Sequence, residues 1–483
     1  MAPQIKYTKI FIDNQWVDAK SGKTFDTYNP HDESVIAKVA EGDKADIDLA
    51  VAAAKRAFKR NSEWRRLEAS QRGKLLFKFA DLIERDFEYL AELESYNNGM
   101  VRSMATRFIS LAADQVRYIA SLADKIEGST MPLGGQNFSY TLKQPVGVCG
   151  LILPWNVPLL MFLSKVTTAL AAGCTAVVKP AEQTPLTALA LAALLVEAGI
   201  PAGVVNVVPG FGETAGVALT HHKDVAKISF TGSLEVGKLI QQAAGANNLK
   251  RVTLELGGKS PLVIMDDADL AVAVQYAAFG VFTHQGQICI AASRLYVQSG
   301  IYDAFVQAAA QVAKSLKIGN PADETTQHGP QVDKIMLEKI LGYIEKGKQE
   351  GARLVTGGKR VGNKGYYIEP TVFADVKDDM TIAKEEIFGP VQSILKFETL
   401  DEVIERANET NYGLAAGIIT TNLNNAMKFS EQVEAGTVWV NTYLTMRPQT
   451  PFGGFKESGI GREYGPQCVD QYLEVKTVTM ALS

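Results

Sequence analysis

The sequence predicts an α/β protein built on two mainly parallel β-sheets. From Val146 to Leu256, short β-branched segments alternate with helical segments, and the same alternation returns between residue 258 and about residue 460. Strands that alternate with helices in this way form parallel sheets with helices on both faces. A chain of 483 residues has room for roughly three domains of ordinary size, or for two domains and an appendage.

The chain before the first predicted sheet reads as mainly helical. We expect a surface hairpin over residues 5–18, followed by an amphipathic helix over 46–60. A longer helix is predicted over 71–98 with a stop at Gly99, and another helix follows over 103–124.

The segment over residues 131–145 changes to the alternation of polar and apolar residues that is typical of strands. The C-terminal segment LEVKTVTMAL alternates in the same way, so we predict that it pairs with residues near 130–145. Strands this far apart in sequence would form a flap with free edges, which indicates oligomerisation.

The first sheet is predicted from a series of short elements. We expect strands over residues 176–179, 204–208, 226–230 and 251–256, with helices over 186–197 and 236–244. The uncharged stretch over 146–163 is near the lower length limit of a transmembrane helix. Because Pro154, Asn156 and Pro158 lie in its middle, we interpret it as a strand, a turn and a helix, and we expect no membrane span.

The second sheet follows the same logic. We predict a strand over residues 261–265, a helix from Asp267, a strand over 295–298 and a helix over 301–314. Further strands are expected in the segments LKFET, AAGIIT and GTVWVN.

The composition excludes several classes of protein. The net charge is −4 and no basic block is present, so we expect no nucleic-acid partner. The four cysteines show neither paired nor metal-type spacing, which indicates free thiols in a reducing compartment and no metal site. The N-terminus resembles neither a signal peptide nor a transit peptide, so we expect a cytoplasmic protein.

The segment FTHQGQICIAASR places Cys289 between a Gly-rich polar approach and small residues, which would leave its thiol accessible. A buried structural thiol is the alternative, because that is the commonest state of a free cysteine. His284 lies five residues earlier, which is poor spacing for a Cys–His dyad, so none is expected. Glu255, between two leucines and ahead of a glycine pair, is a candidate general base.

Other motifs have both a functional and a structural interpretation. Asn156, in an apolar turn between prolines, is either an oxyanion donor or a residue that bonds its own turn. The glycine motifs over 209–216 and 230–237 are either phosphate-binding turns or ordinary tight turns. Glu182 in KPAEQTP either accepts hydrogen bonds from a ribose or complements a helix dipole.

Taken together and in this order, the motifs resemble the signature set of the NAD(P)-dependent aldehyde dehydrogenase superfamily. The resemblance covers nearly the whole chain and rests on residues 153–159, 179–185, 230–237, 252–261, 282–294, 385–391 and 451–463. Details such as IAKEEIFGPV, TPFGGFKESG and EVKTVT are most similar to the class 1 and 2 enzymes, which include the retinal dehydrogenases.

The resemblance implies oxidation of a small-molecule aldehyde to a carboxylic acid. Cys289 would attack the aldehyde, the Asn156 amide and the Cys289 backbone N–H would hold the oxyanion, and Glu255 would activate the water that hydrolyses the thioester. Family members that transfer the acyl group to coenzyme A typically lack this carboxylate. An abundant structural protein of the crystallin type is the alternative, although the catalytic residues are all present.

The resemblance also implies NAD as the cofactor. Lys179 and Glu182 would hold the adenosine ribose and favour NAD over NADP, and Glu386 and Phe388 would position the nicotinamide riboside. The implied cofactor-binding residues are Leu153, Trp155, Lys179, Glu182, Gly212, Gly232, Ser233, Leu256, Gly257, Glu386 and Phe388. The implied substrate tunnel contains Val157, Leu160, Met161, Ser164 and Phe452. Val157 and Ser164 replace larger residues of many relatives, so we expect tolerance of bulky or long aldehydes.

The family fold implies a Rossmann-like NAD-binding domain over residues 1–126 and 146–257, and a second α/β catalytic domain over 258–457. Residues 127–145 and 458–483 would form a small β oligomerisation flap. The expected assembly is a homotetramer formed as a dimer of dimers, with a dimer as the alternative.

Overall fold

The computed structural model of the chain describes residues 2–482 and begins with strands and helices that precede the first sheet. The strands are β1 (Ile10–Ile12), β2 (Gln15–Val17), β3 (Thr24–Tyr28), β4 (Val35–Ala40), β5 (Thr130–Met131) and β6 (Asn137–Pro145). The helices are α1 (Lys44–Ala57), α2 (Glu63–Arg66), α3 (Ala69–Arg85), α4 (Phe87–Asn98) and α5 (Arg102–Leu122).

Two expectations for this region are wrong. The helix predicted over 71–98 is interrupted at Asp86, where α3 ends and α4 begins. Aspartate is a poor residue for a helix interior because its short carboxylate competes for nearby backbone groups. The hairpin predicted on the surface is part of the first sheet instead, because Phe11 of β1 pairs with Val207 and the strand is buried. The predicted stop at Gly99 is confirmed, with a φ of 80°.

The following elements complete the central part of the first sheet. The strands are β7 (Val148–Ile152), β8 (Thr175–Lys179), β9 (Val205–Val207), β10 (Lys227–Thr231) and β11 (Arg251–Glu255). The helices are α6 (Pro158–Ala171), α7 (Leu186–Ala198), α8 (Val217–His221) and α9 (Leu234–Asn247).

The elements of the second sheet follow. The strands are β12 (Pro261–Ile264), β13 (Arg294–Gln298), β14 (Arg353–Thr356), β15 (Thr371–Ala374), β16 (Val391–Phe397), β17 (Tyr412–Gly413), β18 (Ala415–Ile419) and β19 (Thr437–Val440). The helices are α10 (Leu270–Phe282), α11 (Tyr302–Ser315), α12 (Lys334–Gln349), α13 (Thr381–Lys384), α14 (Leu400–Asn408) and α15 (Leu423–Gln432). The tail adds β20 (Phe455–Lys456), β21 (Gly459–Ile460) and β22 (Leu473–Ala481).

The order of the strands determines where a ligand can bind. Within residues 2–482 the first sheet has the order β2-β1-β9-β8-β7-β10-β11-β21 and the second has the order β14-β15-β16-β13-β12-β18-β19. Strands β7 to β11 are parallel to one another, and β7 lies between β8 and β10. The chain therefore changes direction across the sheet at β7 and β10, and ligands of such sheets bind beyond the carboxyl ends of the strands at that point. The predicted α/β fold class is confirmed.

The C-terminal part returns to both earlier regions. Strand β22 pairs with β6 from Leu473 opposite Pro145 to Ala481 opposite Asn137, which confirms the predicted pairing of the tail. Strand β21 joins the first sheet, with Gly459 opposite Glu255. In the part of the chain from residue 2 to residue 482, no helix is both long and apolar enough to cross a membrane.

Candidate active site

The predicted catalytic residues lie where strands of the first sheet end and a loop of the second sheet approaches. Asn156 follows β7, Glu255 is the last residue of β11, and Cys289 lies in the loop before β13. All three line one cavity of about 360 Å³, which is a typical size for a small-molecule site. The structure thus brings together residues that lie far apart in the chain. The hydrogen bond from Asn156 to Gln287, for example, spans 131 positions.

The thiol of Cys289 and the carboxyl group of Glu255 are neighbours. The Sγ atom of Cys289 donates a hydrogen bond to Oε1 of Glu255 at 3.7 Å. Burial raises the pKa of Glu255 to about 8, and the charge of Glu463 acts in the same direction. Desolvation, together with the Glu255 and Glu386 carboxylates, raises the pKa of the Cys289 thiol well above its usual value. Both groups therefore mostly hold their protons at neutral pH, and the fraction of Glu255 that is ionised is placed to accept the proton of the thiol.

The side chain of Asn156 is held close to the loop that contains Cys289. Its Nδ2 atom donates to the carbonyl oxygen of Gln287 at 2.9 Å, and its Oδ1 atom accepts from the Val157 N–H at 3.0 Å. One N–H of the amide is used in this way, and the other is available to a ligand in the cavity that Asn156 lines. This arrangement combines the two interpretations of Asn156, because the residue bonds its own turn and also faces the cavity.

His284 has a role that the sequence analysis missed. Its Nε2 atom lies 2.7 Å from the backbone oxygen of Asn156, which also accepts from Nδ2 of Asn98 at 3.1 Å. Burial lowers the pKa of His284 to about 4, so the ring is neutral, and a carbonyl partner requires that Nε2 carries the proton. His284 is thus a positioning residue for Asn156, and no dyad with Cys289 forms. The signal that could have indicated this role is a histidine directly before the Gln-Gly-Gln run.

Glu463 and Lys165 form an ion pair behind the carboxyl group of Glu255. Lys165 is 1% exposed, and its Nζ atom contacts Glu463 and also donates to Ser229 Oγ at 3.1 Å. Because the negative charge of Glu463 raises the pKa of Glu255, this pair influences the proton affinity of the candidate base. Glu463 belongs to a recognised motif, but the sequence alone shows no contact with Glu255.

Four of the five predicted tunnel residues line the cavity, namely Val157, Leu160, Met161 and Phe452. Ser164 does not. Its hydroxyl group bonds to the carbonyl oxygen of Met161 at 3.2 Å and lies 3.3 Å from Glu463 Oε2. A small hydroxyl on α6 reaches its own helix backbone and the buried ion pair more easily than the cavity. Its effect on the width of the tunnel is therefore indirect.

The predicted ribose and pyrophosphate residues gather at the carboxyl ends of neighbouring strands. At the end of β8, Lys179 Nζ donates to Glu182 Oε2 at 3.3 Å and to the Gly210 carbonyl at 2.8 Å. Burial lowers the pKa of Lys179. At the end of β10, Gly232 leads into α9, whose first turn is capped by Ser233 through Val236 N–H at 3.4 Å. Such a helix start presents free N–H groups to an anion.

The remaining predicted cofactor residues surround the same edge of the sheet. The Leu153 N–H donates to the Lys179 carbonyl at 3.0 Å, and a side chain added at Gly212 would meet open space. The rings of Trp155 and Phe388 contact each other at 5.2 Å in an edge-to-face arrangement. Leu153 and Trp155 follow β7 and Gly212 follows β9, so these residues lie at the carboxyl ends of the strands, where such sheets bind ligands.

Glu386 reaches this edge from the second sheet. Its Oε1 atom accepts from the Gly258 N–H at 3.0 Å, and a side chain at Gly257 would collide with the carboxyl group. Leu256 packs against Gly237 of α9 with similar closeness. Burial raises the pKa of Glu386 to about 7. The glycine at 257 is needed for this approach. The approach places the Glu386 carboxylate close enough to Cys289 to raise the pKa of its thiol.

A buried carboxyl group, a thiol and a side-chain amide share one cavity at the carboxyl ends of parallel strands, an arrangement that is typical of an oxidoreductase. The sequence profile of the Aldehyde dehydrogenase family matches residues 16–478. The chain belongs to this family, and the predicted resemblance is confirmed.

Particular relatives are similar over almost the whole chain. Aldehyde dehydrogenase 1A1 of Bos taurus is 57% identical, over 99% of this chain and 96% of the relative. Aldehyde dehydrogenase, cytosolic 1, of Rattus norvegicus is 56% identical over the same shares of the two chains. Among solved structures, the NAD+ complex of an aldehyde dehydrogenase from Bacillus cereus has a TM-score of 0.97 and 47% identity, over 99% of this chain and 97% of that chain.

Proposed function

We propose that the chain oxidises aldehydes to carboxylic acids through a thioester on Cys289, which is hydrolysed by water that Glu255 activates. The observation that supports this most directly is the 3.7 Å hydrogen bond between Cys289 and Glu255 in a cavity that Asn156 also lines. The family match and the relatives show that the chain is an aldehyde dehydrogenase. The proposal therefore concerns which residues act in the reaction and in which steps.

The first half of the reaction forms a bond between sulfur and carbon. Ionised Glu255 accepts the thiol proton of Cys289, and the sulfur attacks the aldehyde carbon. The oxygen becomes an oxyanion that accepts hydrogen bonds from Asn156 Nδ2 and from the Cys289 backbone N–H. One such donor contributes about 3 to 4 kcal/mol in the transition state. NAD, when bound, would supply the acceptor for the hydride that leaves this carbon, and loss of the hydride re-forms the carbonyl bond and leaves the thioester of Cys289.

The second half of the reaction breaks that bond. Glu255, after releasing its first proton, accepts a proton from a water molecule as the water attacks the thioester carbon. The same amide donors hold the second oxyanion. The carbon–sulfur bond then breaks, the sulfur takes the proton back from Glu255, and the carboxylic acid leaves. Glu255 thus acts as a base twice, which suits a carboxyl group whose pKa is raised toward neutral pH.

The cofactor of this enzyme is NAD, in line with the NAD+ complex of its structural relative. Lys179 and Glu182 would hold the adenosine ribose, Gly212, Gly232 and Ser233 would lie at the pyrophosphate, and Leu153, Trp155, Leu256, Gly257, Glu386 and Phe388 would contact the rest. Residues 1–126 and 146–257 would form the NAD-binding domain, and residues 258–457 the catalytic domain.

A homotetramer is proposed from the flap over residues 127–145 and 458–483. Strands β6 and β22 leave Phe138, Leu142, Val475 and Met480 exposed by 38% to 64%. Exposed apolar side chains on this sheet, together with the free edge of β22, favour pairing with another copy of the chain. A cytoplasmic location is proposed from the resemblance and from the rat relative, which is named as a cytosolic enzyme.

Turnover limited by thioester hydrolysis is expected to depend on pH through Glu255. The wild-type enzyme with NAD and an aldehyde should produce NADH and carboxylic acid in equal amounts, at a rate that rises from pH 6 and levels off above about pH 8. The rise is expected because only the ionised carboxylate accepts the proton of water, and its fraction falls about tenfold per pH unit below the pKa. Formation of NADH without acid, or a rate that does not change between pH 6 and 9, would contradict the proposal.

Replacement of Glu182 by serine is expected to narrow the preference for NAD over NADP by about 10-fold or more. The carboxylate accepts hydrogen bonds from ribose hydroxyls and repels the phosphate of NADP, and serine does not repel it. The measurement is the ratio of kcat/KM with the two cofactors. Glu127→Ser, which removes an exposed carboxylate between α5 and β5, is the control and should leave the ratio unchanged. An unchanged ratio in Glu182→Ser would contradict the ribose assignment.

A further inference from the structure

The mouth of the catalytic cavity contains two arginines that the proposed mechanism does not use. Arg107 from α5 and Arg447 from the loop after β19 both line the cavity and are both exposed. The walls between the mouth and Cys289 are mostly apolar and include Phe108, Leu160 and Met446. Glu255, at the catalytic end, is the carboxylate that lines this cavity within residues 2–482. The cavity thus has an apolar body and a cationic rim.

The two guanidinium groups have no acidic partner in the part of the chain that the structure describes. On the same helix, Arg102 forms an ion pair with Glu88, and Arg117 forms one with Glu84. Arg107 instead lies over the ring of Phe279, 5.7 Å from its centre. This cation–π contact holds the guanidinium group against the cavity wall and leaves its N–H groups available.

Arg447 is similarly available. Its Nη1 atom donates to the backbone oxygen of Met446 at 3.0 Å, and the other N–H groups have no hydrogen-bond partner within residues 2–482. Guanidinium groups pair with carboxylates through two parallel hydrogen bonds. A carboxylate at the end of a flexible substrate could therefore be bound at this rim. The whole chain has a net charge of −4, so attraction of an anion to this site depends on the local positive charge.

From these observations we infer that the enzyme prefers aldehydes that carry a carboxylate at the far end of an apolar body, such as ω-oxo fatty acids. The aldehyde carbon lies at Cys289, the apolar chain contacts the cavity walls, and the carboxylate is bound by Arg107 and Arg447. This inference rests on the proposed function and adds the class of substrate. The two arginines act in binding and take no part in bond formation.

The test compares two substrates that differ only in charge, a medium-chain ω-oxo carboxylate and its methyl ester. The wild-type enzyme is expected to favour the acid by about tenfold in kcat/KM, mainly through KM, and to lose most of this preference at high salt. Arg107→Gln and Arg447→Gln should each lower the ratio of acid to ester by about 3- to 5-fold, and the double variant should abolish the preference. Arg447→Lys should retain part of it because the charge remains.

The control is Arg60→Gln, which removes an exposed arginine outside the cavity and should leave the ratio unchanged. A ratio that is the same in the double variant and in the wild type would overturn the inference, and so would a wild-type preference for the ester. The two failures are distinct. If the ester is oxidised and the ratio does not respond to the arginines, the function stands without this specificity. If neither substrate is oxidised, the proposed function itself fails.

Discussion

Replacement of Cys289 by alanine is expected to lower kcat for aldehyde oxidation by about four orders of magnitude or more. The methyl group of alanine cannot attack the carbonyl carbon, so the adduct between sulfur and carbon does not form. Without that adduct the hydride would have to leave an unactivated aldehyde. NADH formation should therefore fall to the background rate, and mass spectrometry should detect no acylated protein after the enzyme is mixed with aldehyde and NAD.

A matched control separates this loss from a defect in folding. Cys468→Ala also removes a thiol, but Cys468 is buried outside the cavity, so that variant should retain most of the wild-type kcat. Binding of NAD by the Cys289→Ala variant should remain within a few-fold of wild type, which would show that the fold is intact. Turnover of Cys289→Ala within tenfold of the wild-type rate would end the covalent mechanism.

Replacement of Glu255 by glutamine is expected to separate formation of the thioester from its hydrolysis. Glutamine has nearly the same size and can still accept the hydrogen bond from Cys289, but it cannot accept a proton from water. A burst of about one NADH per active site should precede a steady rate that is about 10²- to 10⁴-fold below the wild type. The burst should be slower than in the wild type because the thiol has also lost its base.

Glu94→Gln is the matched control for this variant. Glu94 is another buried carboxyl group, and burial raises its pKa to about 7, but it bonds to Thr187 and to the Leu159 N–H away from the cavity. Its replacement should leave steady turnover close to that of the wild type. Full turnover of Glu255→Gln, or an acyl group that leaves at the wild-type rate, would remove Glu255 from the role of base.

The positions of the main site residues could be expected from the sequence because they depend on the ends of strands. Asn156, Gly232 and Glu255 each lie at or just after the carboxyl end of a predicted strand, and parallel strands bring those ends to one edge. The pairing of the tail with residues 137–145 could be expected for a similar reason, since two alternating segments both needed a partner.

The contacts that adjust the site could not be expected, because they join side chains from distant elements. The bond from His284 to the backbone of Asn156 spans 128 positions, and the contact of Lys165 with Glu463 spans 298. No periodic pattern marks such a pair, since each depends on how two elements pack. Ser164 shows the same limit, because its position on α6 could be predicted but the direction of its hydroxyl group could not.

The strand that ends in Glu255 is completed by a late part of the chain, and this has a consequence for synthesis on the ribosome. Gly459 pairs with Glu255, and Ser458 Oγ donates to the Gly257 carbonyl at 2.8 Å across a separation of 201 residues. At typical rates of elongation this separation corresponds to about 10 to 40 s. For most of that interval, once Cys289 has been added, the nascent chain contains the nucleophile while one edge of β11 has no partner. The edge of β11 therefore stays unpaired until the polypeptide is nearly finished, and until then it is open to pairing with strands of neighbouring nascent chains.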